Sequence, residues 1–316
     1  MNKLQVLYQD NETGQALDVT TITSSPKWTT KRAGSPSSFE FVAVMDVGWK
    51  NGSIVMARDG EEGIFHGYVF SVKHSEKGTV SIKAYDQLRY LKNKDTYVVK
   101  GLRADQLLLR IAEDYKLKTG VLDNTGYVIP SMVEDGKTLF DILLKALDLT
   151  LINTGRMYVL WDDFGALRIT SAESMKTDLV VGDGSLATGY THTNEIDSYT
   201  ATRVKLVKDN KSTGRREVYI VQDSGNMSRW GWLQHYEKVD EGMNPAQIAA
   251  MGEQMLELRN KPKSTFELDG LSDLSVRAGR GVFVRIAELG MSQYYLVDEA
   301  THDLAAGTMS LKLKVA

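Results

Sequence analysis

The chain's five histidines, His66, His74, His192, His235 and His302, are the natural place to look for metal or acid–base chemistry. No two of them share the HExxH or HxH spacing that brings two imidazoles to one ion. Acidic neighbours offer a second possibility. Glu61-Glu62, Asp162-Asp163 and Asp240-Glu241 supply paired carboxylates, and glycoside hydrolysis needs two such groups about 5 to 10 Å apart across a cleft. All three pairs fall in sequence that reads as turn, where solvated charge is the expected state. Gly182-Asp183-Gly184 with Gly189 lacks the spacing and the βαβ surroundings of a dinucleotide fingerprint and reads as loop. Asp123-Asn124-Thr125-Gly126 lacks EF-hand spacing, and neither a GxSxG elbow nor a GxxxxGK[ST] phosphate loop occurs. No catalytic, cofactor-binding or metal-binding residues are assigned, and no cofactor is implied.

Two further clusters are suited to binding rather than reaction. Lys205, Lys208, Lys211, Arg215 and Arg216 belong to one hairpin and could gather positive charge at its tip. A solvated loop is the simpler reading. Trp230, Trp232 and Tyr236 form an aromatic group with little accompanying basic charge, which favours packing or a protein interface over a base-stacking platform.

Composition narrows the classes further. A length of 316 residues suggests two or three domains, and a net charge of -3 gives no overall pull toward nucleic acid or anionic membrane. Specific nucleic-acid binding is not expected. Absence of cysteine excludes disulfides, cysteine-ligated zinc, iron–sulfur clusters and thiol catalysis, and suits synthesis in a reducing cytoplasm. Met1-Asn2-Lys3-Leu4-Gln5-Val6-Leu7-Tyr8 reads as a strand without a secretory h-region, and no stretch reaches the roughly 20 apolar residues of a membrane helix. A protein of this kind acting outside its producing cell is expected to leave by lysis or within a particle.

The elements that would position these residues change period along the chain. Residues 1–97 are strand-like, with Leu4–Tyr8, Leu17–Ile22, Phe39–Val44, Ile54–Met56, Gly67–Val72 and Thr79–Ala84 rich in β-branched and aromatic residues. Short strands at near-regular spacing suggest an antiparallel barrel. Residues 98–176 read as a small α/β insertion. Leu107, Leu108, Ile111, Ala112 and Tyr115 recur at helical spacing over 103–118, as do Leu139, Ile142, Leu143, Ala146 and Leu147 over 138–150. Thr138 is a candidate N-cap, and a hairpin follows with its turn at 162–165. Residues 177–316 return to strands and include one helix, from Asn244 to about Arg259. There Asn244, Pro245 and Gln247 form an N-terminal cap signature.

One segment occurs twice. Gly78-Thr79-Val80-Ser81-Ile82-Lys83 returns as Gly307-Thr308-Met309-Ser310-Leu311-Lys312, with His74 and His302 upstream and Tyr68-Val69-Phe70 and Tyr295-Leu296-Val297 before those. Ser53-Ile54-Val55-Met56-Ala57-Arg58 aligns with Gly281-Val282-Phe283-Val284-Arg285-Ile286. The expected fold is therefore mainly β: two related antiparallel β-barrel domains, 1–97 and 177–316, separated by a helix-containing α/β domain. A chain with two similar barrels is a candidate adaptor between assemblies of different symmetry.

Three segments, in order, carry a resemblance to a family. Val80–Lys94, Trp232–Glu241 and Ser275–Val284 are similar to segments of the XkdQ/YqbQ-type baseplate hub proteins of phage and prophage contractile tails. The resemblance spans nearly the whole chain. It implies a virion structural protein, a homotrimer whose two barrels per chain form a pseudo-sixfold ring. Such a ring meets a hexameric tail tube on one side and a trimeric spike on the other, beside further baseplate proteins and with no membrane partner. The place implied is the tail baseplate of a phage or phage-tail-like particle, with synthesis in the bacterial host cytoplasm. Two other classes compete. One is a cell-wall or glycan-processing enzyme acting through Glu61, Asp162 or Glu241. The other is the spike of a type VI-like secretion system, for which Ala316, directly after the last strand, leaves no length for a needle.

Overall fold

The computed structural model describes residues 4–210 and 214–315. Met1, Asn2, Lys3, Lys211, Ser212, Thr213 and Ala316, which carry the expected chain start, hairpin tip and chain end, lie outside the described residues. The first part of the chain is β: β1 (Leu4–Gln9), β2 (Ala16–Asp18), β3 (Thr23–Lys31), β4 (Ser38–Ala43), β5 (Ile54–Asp59), β6 (Glu62–His74), β7 (Val80–Tyr85) and β8 (Lys94–Val99). Then come α1 (Ala104–Asp114), β9 (Thr119–Leu122), β10 (Met132–Thr138), α2 (Leu139–Thr154), β11 (Tyr158–Asp162) and β12 (Leu167–Ser171). The chain continues through β13 (Lys176–Gly182), β14 (Ala187–Glu195), β15 (Arg203–Asn210), β16 (Arg215–Gln222), α3 (Ser224–Trp230), β17 (Gln234–Lys238) and α4 (Pro245–Arg259). It closes with β18 (Lys263–Leu271), β19 (Gly281–Ile286), β20 (Met291–Asp303) and β21 (Thr308–Val315).

Local chemistry accounts for several boundaries. Thr138 Oγ1 accepts the Asp141 N–H at 3.1 Å and starts α2, and Gly155 ends it in the left-handed conformation. Asn244 and Gln247 exchange side-chain-to-backbone bonds of 2.9 Å each, so the capping box at α4 is complete. Two expectations need correction. Leu17–Ile22 is not one strand, because Thr20 Oγ1 accepts the Val6 N–H and the chain turns through a short 3₁₀ segment at Thr20–Ile22. A second helix, α3, precedes the Asn244 helix, its N–H at Asn226 held by the Asp223 carboxylate.

Thirteen strands form one sheet in the order β14-β18-β21-β20-β3-β4-β7-β6-β5-β1-β2, with β19 beside β20 and β13 beside β19. Within it the repeat is visible as hydrogen-bond register. On β6, Val69, Ser71, Val72, Lys73 and His74 face Ala84, Lys83, Ile82, Ser81 and Val80. On β20, Val297, Glu299, Ala300, Thr301 and His302 face Leu313, Lys312, Leu311, Ser310 and Met309. Both ladders slip by one residue at the same place, leaving Phe70 and Asp298 as the extra residues of matching bulges. The strand entering each bulge is tied in the same way. Gly52 N–H bonds Val69 C=O and Val69 N–H bonds Ser53 C=O, both at 2.8 Å, while Gly279 and Arg280 do the same to Val297 at 2.8 and 2.9 Å.

That register corrects the expected alignment by one residue. Ile54 faces Tyr68 and Gly281 faces Leu296, so Gly281 answers to Ile54 rather than to Ser53. A one-residue shift exchanges the two faces of a strand, and the corrected match puts buried Val55 and Ala57 with buried Val282 and Val284. The repeat stops at β1, which runs antiparallel to β5 where β13 runs parallel to β19.

Separate apolar cores underlie the parts. Val6, Phe39, Phe41, Phe65, Val69 and Ile82 belong to the core of the first β-region. Leu107, Ile111, Leu139, Ile142 and Leu143 of α1 and α2 pack with Leu160 and Ile169 of the β11–β12 hairpin in another. By density of contacts the chain divides into two compact units, one made of the chain up to Thr191 and from Glu267 onward, the other of His192–Phe266. In the second unit, β15 lies between β16 and β17, and α4 covers one face through Ile248, Met251 and Met255 against Val204 and Leu206. Gly252 permits this close approach: a Cβ there would come within 2.9 Å of Val221 Cγ2.

Candidate functional site

The two halves of the repeat meet at one strand pair. β3 lies antiparallel to the outer half of β20, with Lys31, Thr30, Thr29, Trp28 and Lys27 opposite Glu299, Ala300, Thr301, His302 and Asp303. Side chains repeat the backbone match. Lys31 reaches Glu299 at 3.3 Å, Arg32 donates to Asp298 at 3.0 Å, and the Thr29 and Thr301 hydroxyls meet at 3.1 Å. The salt bridges are partly exposed and contribute little individually, about 0.2 to 1 kcal/mol each. Pairing and burial do most of the holding, because Trp28, Thr30, Ala300 and His302 are all buried here.

His302 anchors the seam. Its ring stacks on Trp28 with centroids 5.3 Å apart, while Nδ1 meets Ser272 Oγ and Nε2 meets the Val276 carbonyl oxygen, both at 2.8 Å. Burial lowers its pKa below the usual histidine value, opposed by the Val276 carbonyl. The matching expectation for His74 and His302 holds in position, but not in surroundings. His74 is exposed and faces the Asp46 carboxylate at 3.5 Å.

A second junction ties the hairpin β11–β12 to both β-regions. Asp86 follows β7, Asp162 ends β11 and Arg277 lies in the loop before β19, each within electrostatic reach of the others. Asp86 accepts the Ser37 and Leu88 N–H groups at 3.2 and 3.1 Å, and Asp162 Oδ1 accepts the Gly165 N–H at 2.7 Å. Desolvation dominates all three. It raises the Asp162 carboxyl to about 6, raises Asp86 with help from the Asp162 charge, and lowers Arg277 to about 10. The Arg277 guanidinium sits 4.2 Å from the Trp161 ring centroid and 5.9 Å from that of Trp28, so aromatic faces stand where water would. The expectation that Asp162 is a solvated turn residue is corrected: it is 5% exposed, because the turn folds inward over Gln87, which donates to the Gly165 carbonyl.

The other residues singled out by type are dispersed. His66 is part-buried beneath the hairpin turn, its ring 5.7 Å from that of Phe164. His192 meets Ser264 Oγ at 2.9 Å, and His235 meets Glu237 at 3.2 Å. Of the basic cluster, Lys208 donates to the Met243 carbonyl and Arg216 pairs with Asp209 at 2.7 Å, so these two are tied within the protein, and Lys211 lies outside the described residues. Trp232 and Tyr236 are exposed, with Arg203 over the Trp232 ring at 5.0 Å. The loop expected around Gly182 is confined to the turn that holds Asp183 and Gly184, because Gly182 ends β13 opposite Arg285, where a Cβ would lie 1.9 Å from the Arg285 oxygen, and Gly189 lies within β14. Asp123 accepts the Ser171 N–H and ties a loop to β12.

Residues of the seam and of the Arg277 cluster carry the geometry, and residue type gave no sign of most of them. Pro26 and the polar run around it disguise β3 as loop. The alternation of Trp28 and Thr30 with Lys27, Thr29 and Lys31 was the available signal.

The profile of the family described as YQBQ-like matches residues 26–315. The protein XkdQ of the phage-like element PBSX of Bacillus subtilis is 34% identical over 257 residues, covering 80% of this chain and 77% of its own. The 43 kDa tail protein of prophage MuSo2 from Shewanella oneidensis has a similar structure, with a TM-score of 0.71, 14% identity and 98% of each chain covered. A further similar structure is the Escherichia coli c3393 protein, described as a type VI secretion component resembling the bacteriophage T4 tail proteins gp27 and gp5. Its TM-score is 0.58 at 9% identity, over all of this chain and 77% of that one.

Proposed function

Because the chain belongs to the YQBQ-like family, we propose that it is the structural hub of a contractile phage-tail or phage-tail-like baseplate. Three copies assemble, and the two related β-barrel domains of each, 1–97 and 177–316, build a pseudo-sixfold ring around the particle axis. One face of that ring meets a hexameric tail tube, the other a trimeric spike, and the α/β domain at 98–176 braces the two barrels within each copy. The chain is made in the host cytoplasm and works in the tail baseplate.

One observation carries the reading: the matching bulges at Phe70 and Asp298, on strands with the same register to β7 and β21. Three chains with two such modules offer six similar surfaces, which is what a threefold-to-sixfold adaptor requires. The role is mechanical rather than catalytic. Asp162, one of the carboxylates that a glycan-processing reading would use, is buried, with Oδ1 accepting the Gly165 N–H and the Arg277 charge within electrostatic reach.

The test is the mass of the purified chain at assembly-like concentration, alone and with a tail-tube protein from the same particle. Threefold mass and tube binding are expected. A stable monomer that binds no tube protein sinks the proposal.

A further inference from the structure

We infer that the outer edge of β6, from Phe70 to His74, receives β14 of a second copy of this chain, so that neighbouring copies continue one sheet across their boundary. The inference rests on the homotrimer reading and names the strands that meet in it.

The seam inside the chain supplies the template. On β20 the Asp298 carbonyl accepts the Arg32 N–H and the Leu304 N–H donates to the Pro26 carbonyl, both at 2.9 Å. Alternation along an antiparallel ladder then turns the backbone groups of Ala300 and His302 toward β3 as well. Their equivalents on β6 are Phe70, Val72 and His74. Pairing of β6 with β5 begins only at Tyr68, and past the Val69 bonds to Gly52 and Ser53 no described strand covers this side. Each residue here is less covered than its equivalent in the joined copy: Val72 is part-buried and His74 exposed where Ala300 and His302 are buried, and Ser71 and Lys73 are exposed where Glu299 and Thr301 are part-buried.

The matching donor is the equivalent of β3 in the second half. β3 pairs with β4 and β4 with β7; β14 pairs with β18 and β18 with β21. Phe39-Glu40-Phe41 of β4 answers to Phe266-Glu267-Leu268 of β18, with both apolar positions buried in each. β14 therefore stands where β3 stands, yet it ends the sheet with nothing on its outer side among the described residues. Its nine residues, largely exposed, contain no Lys, Arg or Pro, the residues that ordinarily blunt an edge strand. One open acceptor edge and one open donor strand per chain make a head-to-tail contact, which gives a ring when three such steps complete a full rotation.

The experiment uses engineered cysteines, which are unambiguous because the chain has none. Lys73 is the equivalent of Thr301, whose side chain meets Thr29 across the internal seam. The Lys73→Cys chain is mixed in turn with Tyr190→Cys, His192→Cys and Asn194→Cys chains, which sample one face of β14, and with a Val218→Cys control. After oxidation, intact mass is read beside the mass of the unmodified chain. Doubling of mass for at least one β14 partner and not for the control is expected. An unmodified trimer without crosslinks above control overturns the strand pairing and leaves the hub reading standing. Crosslinks without an unmodified trimer keep the pairing and remove the threefold ring, and absence of both removes both.

Discussion

His74 and His302 occupy the same register position on equivalent strands, yet His302 has no exposed surface and His74 is largely in solvent. The difference lies in the neighbour. β3 covers the edge beside His302, with Trp28 stacked on its ring, and no described strand of this chain covers the edge beside His74.

Replacing the two histidines should separate these environments. His302→Ala orphans Ser272 Oγ and the Val276 carbonyl and removes the stack on Trp28, a loss of about 3 kcal/mol. His74→Ala in the isolated chain should stay within about 0.5 kcal/mol of wild type. Denaturant unfolding measures both. The pH dependence has a definite sign, because burial lowers the folded pKa of His302. At and above neutral pH neither state holds the extra proton. As pH falls below the unfolded value of about 6.5, the unfolded chain takes up a proton that the folded chain refuses, and stability drops. His302→Ala should flatten that limb.

The two bulge glycines should differ in cost although they are equivalent. Gly52 and Gly279 have φ values of +84° and +90°, so alanine at either site is strained by about 1 kcal/mol. A Cβ at Gly52 meets nothing within 4 Å, whereas at Gly279 it would lie 2.4 Å from Val159 Cγ1. Gly279→Ala should therefore lower the thermal midpoint clearly more than Gly52→Ala, and an additional Val159→Ala should recover part of the difference.

Asp162→Asn tests the buried carboxylate. Its folded pKa is about 6, against a usual value of 3.8. Between these values the folded protein keeps a proton that the unfolded chain has lost, so stability falls as pH rises from about 4 to about 6 and stays lower above. Asparagine can still accept the Gly165 N–H and cannot ionise. The variant should gain on wild type by up to about 3 kcal/mol as pH passes 6, and match it more closely at pH 4. Thermal midpoints at four pH values between 4 and 8 check this: the difference should widen as pH rises, and a difference that stays constant counts against this account.

Much of this architecture is legible in the residues. The helices at Thr138 and Asn244, the β11–β12 hairpin and the GTVSIK/GTMSLK ladder follow from caps, turn residues and strand alternation, and the three hub-like segments point to the family that the whole-chain match shows. The seam was harder to read. β3 carries Pro26 and five Ser or Thr residues, which resemble a loop until β20 supplies the partner that orders them. The Phe39-Glu40-Phe41 and Phe266-Glu267-Leu268 match is short, and it gains meaning only from the ladders on either side. Arg277 lies in a family-like segment, but its role depends on Asp86 and on the adjacent pair Trp161-Asp162, both far from it in sequence and brought to it only by tertiary packing.

Gly252 and Val221 form a pair whose coupling can be measured. Alanine is favoured over glycine inside a helix by about 1 kcal/mol, so Gly252→Ala on α4 would stabilise if space allowed. It does not, because the new methyl would lie 2.9 Å from Val221 Cγ2 and 3.5 Å from Leu206 Cδ1. Overpacking of this kind costs about 1 to 3 kcal/mol, enough to cancel or exceed the helix gain. Val221→Ala alone removes apolar contact beneath α4 and should also destabilise. Together the two changes restore contact, since the methyl added at 252 occupies room vacated at 221. A double-mutant cycle by denaturant unfolding should then give the pair more stability than the sum of the single changes predicts, by about 1 kcal/mol or more. Strict additivity would mean that α4 shifts away from β16 instead of pressing on it, and would overturn the view that Gly252 is selected by the closeness of that helix to the sheet.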